Sequence, residues 1–287
     1  MASKALLSAF RANKPAFGVW LTAGGIFHAR TVAQASPHLS WIVVDCEHGI
    51  IPLVPGAAET VAAINGAVPN GGPSAVVRIP ATGVSGSTNW QIKYALDAGA
   101  RGVLVPMVST AEKAREIVAD SRFPPFGRRG FGSPHTPGIW GVGVSEYLET
   151  ANNDISVMVQ IENQDGVKNV KEIAAVDGID VLFVGPYDLS ISLGYPLPNP
   201  DPHPAVESVV QRVLAAAHDA GKKWLGDFLF DFIQNKLIRY STYSAIYCTT
   251  RAQSIKRAAE GFDMISVTSD VGALTQGIAE SLTTVVQ

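Results

Sequence analysis

Short apolar runs alternate with longer amphipathic segments along most of the chain. The runs that predict β-strands cover residues 17-22, 41-46, 75-79, 102-108, 157-162, 181-185, 222-225 and 264-268. Most of them are almost continuously apolar, which is typical of parallel strands covered on both faces. Segments with helical periodicity lie between them, at residues 89-98, 110-120, 166-175, 205-220 and 270-286. Near the N-terminus, Leu6, Leu7 and Phe10 fall on one side of a further, short predicted helix.

This alternation predicts an α/β fold with a parallel sheet, either a closed (β/α)8 TIM barrel or an open doubly wound sheet. No G-x-G-x-x-G turn follows the first strand, which disfavours a dinucleotide-binding open sheet. Polar residues follow several strands at the ends that meet at the mouth of a barrel, namely Asp45, Arg78, Glu162 and Asp188. We therefore expect a TIM barrel that forms a single domain over residues 1-287.

The composition of the chain limits the classes of partner that such a domain is expected to bind. The net charge of −3 gives no basic surface for nucleic acid. No apolar stretch approaches the roughly 20 residues that a membrane span needs. The two cysteines, Cys46 and Cys248, match no metal-ligand spacing, and a chain of 287 residues needs no disulfide scaffold. We expect a cytoplasmic protein that binds small molecules, with no nucleic-acid or membrane partner.

Two carboxylates at neighbouring strand ends suggest a metal site. Glu162 ends the fifth predicted strand, and Asp188 follows the sixth. A carboxylate in such a place must be exposed in a cleft, paired or bound to a cation. Two of them can share a hard cation such as Mg²⁺, which keeps other positions for water and substrate oxygens. Both residues could instead cap the helices that follow, and their spacing does not decide between the two interpretations.

The second and third strands end in residues suited to proton transfer and to anion binding. In the sequence D-C-E-H-G, His48 could transfer protons near neutral pH with Asp45 orienting it, although such a short string is more often an ordinary strand end. Arg78 suits an anionic substrate oxygen or a salt bridge to Asp45 or Glu47, and these two roles are compatible.

Further candidates for substrate binding lie on the same strands. Gln160 lies on the same strand face as Glu162, where it could bind substrate or fill the barrel interior. Trp20 is expected to fill the barrel rather than to contact a ligand. The backbone N–H groups of Tyr187 and Asp188 open a predicted helix and could hold a carboxylate.

The motifs GVWLT, VVDCEHG, VVRIP, ALDAGARGVLVPMV, RRGFG, VQIEN, VGPYDLSISLG and GFDMISVTSDVGAL follow one another in a specific order. Together they resemble the HpcH/HpaI aldolase family of class II pyruvate aldolases, from about residue 17 to the C-terminus. The resemblance implies that Glu162 and Asp188 bind Mg²⁺, Mn²⁺ or Co²⁺ and that the metal binds pyruvate. It implies an enzyme that makes or breaks a carbon–carbon bond between pyruvate and an aldehyde, acting on 4-hydroxy-2-oxo acids.

The resemblance also divides the remaining candidates by role. The implied catalytic group has Arg78 stabilising the enolate and His48, supported by Asp45, moving protons. The implied substrate-binding group consists of Trp20, Gln160, Tyr187 and Asp188. A homo-oligomer, trimeric or hexameric, is implied as well.

One segment departs from the family pattern. Removing residues 227-245 would join KKWLG to IYCTT, as in the family, so we suspect an insertion or a gene-model artefact there. An insertion that disrupts the seventh strand would leave a catalytically impaired relative. A second alternative is a citrate-lyase-like enzyme acting on a CoA thioester, which should show a basic groove. Only Arg128 and Arg129, in the long loop 122-141, form a local basic pair.

Overall fold

A computed structural model describes residues 2–68, 71–80, 87–222 and 242–285 of the chain. Eight parallel strands close into a barrel in which each strand pairs with its neighbours in sequence order. The strands are Ala16–Leu21 (β1), Trp41–Asp45 (β2), Ser74–Arg78 (β3), Gly102–Val105 (β4), Ser156–Ile161 (β5), Val181–Val184 (β6), Tyr243–Ile246 (β7) and Met264–Ser269 (β8). The predicted TIM barrel is thereby confirmed.

One helix precedes the first strand, and the others follow the strands on the outside of the barrel. They are Ala5–Arg11 (α1), Ile26–Gln34 (α2), Ala58–Asn65 (α3), Asn89–Asp97 (α4), Ala111–Ser121 (α5), Thr136–Trp140 (α6), Val144–Asp154 (α7), Gln164–Lys168 (α8), Val170–Ala174 (α9), Pro186–Ser192 (α10), Pro204–Lys222 (α11), Arg251–Glu260 (α12) and Asp270–Val285 (α13). The single helix predicted at 166-175 is two short helices, because the backbone leaves the helical region at Asn169. None of the helices within the described ranges could span a membrane.

Successive side chains of a strand point to opposite faces of the sheet, so alternate residues pack in two separate hydrophobic cores, one inside the barrel and one between the barrel and the helices. On β2, Ile42 and Val44 pack outward against the helices, whereas Trp41 and Val43 belong to the cluster that fills the barrel. The next interior position on this strand is Asp45. The packed core therefore ends one layer below the carboxyl ends of the strands, and polar side chains occupy the layer above it.

Helix α1 covers the opposite, N-terminal end of the barrel. Its residues Leu6, Leu7 and Phe10 are buried in the same cluster as the interior side chains of the strands. Phe10 stacks on Tyr243 at the start of β7, with ring centroids 4.0 Å apart. As far as the described residues show, α1 closes this end of the barrel, and the cleft lies at the carboxyl ends of the strands.

The seventh strand is not where the sequence predicts it. The prediction placed it at 222-225, whereas the strand that completes the barrel is Tyr243–Ile246; Lys222 is the last residue of α11, and residues 223–225 lie outside the described residues. The side chains of β7 alternate between the two faces of the sheet. Tyr243 and Ala245 pack in the interior cluster, whereas the Ser244 hydroxyl donates a hydrogen bond to Asp263 at 2.8 Å. Most of the suspected insertion at 227-245 lies outside the described residues. Its last three residues form part of β7, which pairs with both β6 and β8.

The two arginines of the 122-141 loop have separate structural partners. Arg129 has a side chain only 1% exposed and donates to Asp97 at 2.7 Å. Arg128 is exposed and pairs with Asp120 at 2.6 Å. The predicted basic pair is therefore no groove for phosphate groups, since one of its members is buried in an ion pair.

Candidate active site

The polar layer above the barrel core lines one cavity of about 300 Å³ at the carboxyl ends of the strands. Its walls are formed by Trp20, Thr22, Asp45, His48, Arg78, Gln160, Glu162, Gly185, Pro186, Tyr187, Asp188 and Tyr247. Every residue that the sequence predicts for the site lines this cavity. Active sites of TIM barrels lie at this end, where the interior positions of several strands converge.

Arg78 lies at the centre of the polar layer and is buried. Its Nε and Nη2 donate to the two carboxylate oxygens of Asp45 at 2.9 and 2.7 Å, a bidentate pair. Its Nη1 lies 3.0 Å from Glu47 Oε2 and 3.5 Å from Gln160 Oε1. The guanidinium also stacks over Trp20, 4.4 Å from the ring centroid. The predicted salt bridges to Asp45 and Glu47 are both present, and they fix the plane of the guanidinium.

Asp45 supports His48 through the backbone rather than through the imidazole. Its Oδ1 accepts the backbone N–H groups of Glu47 and His48 at 3.0 and 3.2 Å, which fixes the turn after β2. The His48 imidazole is 64% exposed at the rim, with Nε2 3.6 Å from Glu47 Oε2. Burial raises the pKa of Glu47, and the nearby Arg78 opposes that shift. Glu47 is thus the carboxylate beside the imidazole, which sequence reasoning did not assign.

Glu162 is a buried carboxylate held by two donors. The Met107 backbone N–H donates to its Oε1 at 2.7 Å, and Gln160 Nε2 donates to its Oε2 at 2.9 Å. Met107 has a φ of 56°, in the left-handed region that non-glycine residues seldom occupy and that often marks functional sites. Burial, opposed by the Met107 hydrogen bond and by Arg78 and assisted by the charges of Asp188 and Glu47, raises the pKa of Glu162 to about 7. This carboxylate is costly to ionise unless a cation joins it.

The alternative interpretation as helix caps does not hold for either carboxylate. Helix α8 is capped by Asn163, whose side chain accepts the Gly166 N–H. Helix α10 starts at Pro186 after Gly185, which places Asp188 inside its first turn. The N–H groups of a first turn have no partner within their helix, so those of Tyr187 and Asp188 favour negative charge nearby.

Gly185 leaves the space into which Glu162 extends. A Cβ at this position would overlap Glu162 Oε2 and approach the Glu162 Cβ to 3.2 Å. We expect Gly185→Ala to displace the carboxylate and lower kcat/KM by about 10- to 100-fold, because a small misplacement at a reacting centre is costly. Steady-state kinetics and a metal titration measure both effects.

Gly138 in α6 provides the matched control for this substitution. A Cβ there meets no atom within 4 Å, so Gly138→Ala should leave kcat/KM unchanged. Equal activity of Gly185→Ala and the unsubstituted protein would show that the position of Glu162 does not matter for turnover.

Sequence reasoning missed Tyr247, which follows β7. It is the next interior position after Tyr243 and Ala245, so the period of two would have found it if the strand had been placed correctly. Its ring packs edge-on against Trp20 with centroids 5.5 Å apart, and burial raises its pKa. Trp20 lines the cavity as well as filling the barrel. Its indole N–H is buried and has no hydrogen-bond partner among the described residues.

The residues present suit a divalent cation held by two carboxylates. In the described ranges, no group of three or more His, Cys, Asp or Glu side chains is arranged to hold a metal ion. Mg²⁺ needs only one or two protein carboxylates when water and substrate supply the remaining ligands. Glu162 and Asp188 are hard oxygen donors, and the charge of Asp188 adds to the rise that burial causes in the pKa of Glu162. The donor set therefore fits such an ion.

The fold and the cleft define a TIM barrel with a polar site, where one buried arginine and several carboxylates converge at the carboxyl ends of the strands. The HpcH/HpaI aldolase/citrate lyase family model matches residues 18–255, and the chain belongs to that family. The resemblance found in the sequence is confirmed, as is the prediction of a carbon–carbon lyase of the aldolase type.

Individual relatives agree with this assignment. The 4-hydroxy-2-oxo-heptane-1,7-dioate aldolase of Salmonella arizonae is 37% identical over 218 residues, which cover 76% of this chain and 78% of that protein. An HpcH/HpaI aldolase/citrate lyase family protein from Burkholderia cenocepacia J2315 superposes with a TM-score of 0.80 at 31% identity, covering 98% of each chain. Macrophomate synthase superposes with a TM-score of 0.77 at 26% identity, covering 98% of this chain and 88% of that one.

Proposed function

We propose that this protein is a divalent-metal-dependent aldolase that joins pyruvate to an aldehyde, or cleaves the resulting 4-hydroxy-2-oxo acid. The observation that carries the proposal is the meeting of the buried Glu162 and Arg78 with the half-buried Asp188 in one cleft closed at its far end. Two of these residues supply oxygen ligands, and the third supplies a fixed positive charge. The family to which the chain belongs supports the same chemistry.

Glu162 and Asp188 would hold the ion, which is Mg²⁺, Mn²⁺ or Co²⁺. When bound, such an ion supplies a Lewis acid that stabilises negative charge on the 2-oxo oxygen of the substrate. Gln160 holds Glu162 in place through the bond to Oε2. The first-turn N–H groups of α10, at Tyr187 and Asp188, would bind the substrate carboxylate.

In the cleavage direction the bond between C3 and C4 of the 4-hydroxy-2-oxo acid breaks. Its electron pair stays with the pyruvate fragment as an enolate, and the 4-hydroxyl loses its proton as the aldehyde forms. Arg78 would stabilise the enolate from its fixed plane. His48 at the rim would accept the hydroxyl proton, and the Glu47 carboxylate lies 3.6 Å from its Nε2.

Removal of the metal gives the direct test of this function. We expect the protein to release pyruvate from 4-hydroxy-2-oxo acids, to lose that activity after EDTA treatment and dialysis, and to regain it when Mg²⁺, Mn²⁺ or Co²⁺ is added. A coupled lactate dehydrogenase assay measures the pyruvate, and pyruvate added directly controls for inhibition of the coupling enzyme. Undiminished turnover by the EDTA-treated protein would rule out the metal-dependent mechanism.

The two alternative functions have less support from the described structure. Arg129 is engaged with Asp97, so the basic pair offers little to the phosphates of a CoA thioester. A catalytically impaired relative would be expected if β7 were lost, but Tyr243–Ile246 completes the barrel and the cleft is assembled. Turnover of CoA thioesters alone, or of no substrate at all, would favour one of these alternatives. A homo-oligomeric state and a cytoplasmic location remain predictions.

A further inference from the structure

We propose that a clamp of three polar side chains positions the Glu162 carboxylate for metal binding, by holding Met107 in its left-handed conformation. The clamp consists of Ser109, Asn163 and Asn169. None of these three residues belongs to the described lining of the cavity, so they are positioning residues that act through the Met107 backbone N–H. This inference rests on the metal site of the function proposed above.

The backbone of Met107 reaches Glu162 in an unusual conformation. Its N–H donates to Glu162 Oε1 at 2.7 Å, and its φ is 56°. For a residue with a Cβ this region is higher in free energy than the right-handed helical or extended regions, so neighbouring contacts must hold it. The next residue is fixed by the barrel itself, because the Val108 N–H donates to Gln160 O at 3.2 Å. The segment after β4 thus runs across the end of β5.

Ser109 connects the segment after β4 to the turn after β5. Its Oγ lies 3.3 Å from Met107 O in the same segment, and 3.0 and 3.1 Å from Nδ2 and Oδ1 of Asn163. Asn163 directly follows Glu162 in the chain, and its Oδ1 also accepts the Gly166 N–H of α8 at 2.8 Å. The residue next to the carboxylate is therefore bound to the residue two positions after Met107.

Asn169 holds the same segment from the far end of α8. Its Nδ2 donates to Ser109 O at 2.8 Å. Between the two asparagines, Gly166 allows the segment to approach the helix closely, because a Cβ there would lie 2.8 Å from Val108 O. Contacts from the turn after β5 and from α8 therefore fix the chain directly after Met107.

Capping of α8 does not by itself account for this arrangement. The cap needs only the bond between Asn163 and the Gly166 N–H. The bonds from Ser109 to Asn163 and from Asn169 to Ser109 O join the helix to the segment that carries Met107. Outer partners of a metal ligand hold it in the geometry that the metal needs, and their loss typically lowers metal affinity about 10- to 100-fold.

Metal binding by the EDTA-treated protein tests the clamp without any turnover. The protein is titrated with Mn²⁺, and the electron paramagnetic resonance signal measures the free ion. Asn169→Asp keeps the size of the side chain but cannot donate to Ser109 O, so we expect the Kd for Mn²⁺ to rise by about 10- to 100-fold. Asn152→Asp is the matched control. Asn152 donates to Phe123 O at 3.1 Å from α7, outside the cavity lining, and its substitution should leave the Kd unchanged.

Met107→Gly added to Asn169→Asp separates a positioning defect from a general loss of structure. Glycine adopts a φ of 56° without steric cost, so the double variant should regain at least about fivefold in Mn²⁺ affinity. With an intact clamp the same substitution should change the Kd by less than about twofold, because the conformation is already held. Glycine at this position would not rescue a misfolded Asn169→Asp variant.

Amide hydrogen–deuterium exchange at Met107 reports its hydrogen bond to Glu162 directly. We expect faster exchange in Asn169→Asp than in the unsubstituted protein, and no change in Asn152→Asp. An unchanged Kd for Mn²⁺ in Asn169→Asp overturns the inference, as does a double variant that regains no affinity. Either result, with Mn²⁺ bound normally by the unsubstituted protein, refutes the clamp alone. An unsubstituted protein that binds no Mn²⁺ refutes the proposed metal-dependent function, and the present inference with it.

Discussion

Glu162→Gln is expected to abolish turnover and, at the same time, to stabilise the metal-free protein. The substitution removes one of two proposed metal ligands while keeping the shape of the side chain. We expect kcat to fall by about a thousandfold or more, because loss of the Lewis acid removes stabilisation of the enolate charge. The amide oxygen can still accept the Met107 N–H, so the local backbone should keep its conformation.

The gain in stability follows from the raised pKa of Glu162. Burial takes that pKa from an ordinary value of 4.5 to about 7, so the folded protein binds the proton more tightly than the unfolded chain. The protonated side chain stabilises the fold fully when the pH is below about 4.5, the pKa of Glu162 in the unfolded chain. That contribution is lost as the pH rises through about 7, the pKa in the folded protein. Above pH 7 the ionised carboxylate therefore costs about 1–3 kcal/mol, a cost that glutamine does not have.

Urea denaturation of EDTA-treated protein between pH 5 and pH 9 measures this effect. The unsubstituted protein should lose stability between about pH 4.5 and pH 7 relative to Glu162→Gln, and added Mg²⁺ should restore it only in the unsubstituted protein. Glu116→Gln, at an exposed position on α5, is the control and should change neither the stability difference nor kcat. A Glu162→Gln variant less stable than the unsubstituted protein at pH 8 would contradict the assigned cause of the pKa shift.

Most of the site could be predicted because it is built on strands. A period of two and a parallel barrel together determine which strand residues face the mouth, so Asp45, Arg78, Gln160 and Glu162 follow from the sequence once the strands are known. The ion pair between Arg78 and Asp45 was among the predicted alternatives for the same reason. What the pattern could not give was the detailed bonding, such as the contact of Asp45 with the backbone of His48 instead of its ring.

The misplaced seventh strand shows where such reasoning fails. Strands of four residues carry too little periodicity to compete with a longer apolar string, and here the family-like KKWLG motif was chosen over Tyr243–Ile246. The error carried over to the site, because Tyr247 depends on the position of that strand. Met107 was missed for a different reason: its contribution is a backbone N–H in a left-handed conformation, which side-chain chemistry does not reveal.

Arg78→Met is expected to remove both activity and several kcal/mol of stability. The substitution keeps an unbranched side chain but removes the guanidinium that stacks over Trp20, and it leaves the buried Asp45 carboxylate without its bidentate partner. Breaking a buried ion pair on one side destabilises by roughly 3–5 kcal/mol, because the remaining charge stays uncompensated. Loss of the enolate-stabilising charge should lower kcat by about 100- to 1000-fold.

A second substitution separates the two effects. Adding Asp45→Asn to Arg78→Met removes the uncompensated charge and leaves an acceptor for the Glu47 and His48 N–H groups, so most of the lost stability should return. Activity should not return, because the charge that stabilises the enolate is still missing. Recovery of turnover in the double variant would mean that Arg78 acts only by neutralising Asp45.

Arg122→Met is the control for Arg78→Met, because it makes the same substitution at a buried arginine that has no proposed role in the reaction. Arg122 pairs with Asp180 at 2.8 Å, and both side chains are about as buried as those of Arg78 and Asp45, but the pair lies outside the cavity lining. We expect a similar loss in the free energy of unfolding, measured by urea denaturation. The metal-dependent rate of hydrogen–deuterium exchange at the methyl group of pyruvate, per folded molecule, should nevertheless be retained. Equal loss of exchange in both arginine variants would show that any buried ion pair supports turnover, and Arg78 would then have no special role in charge stabilisation.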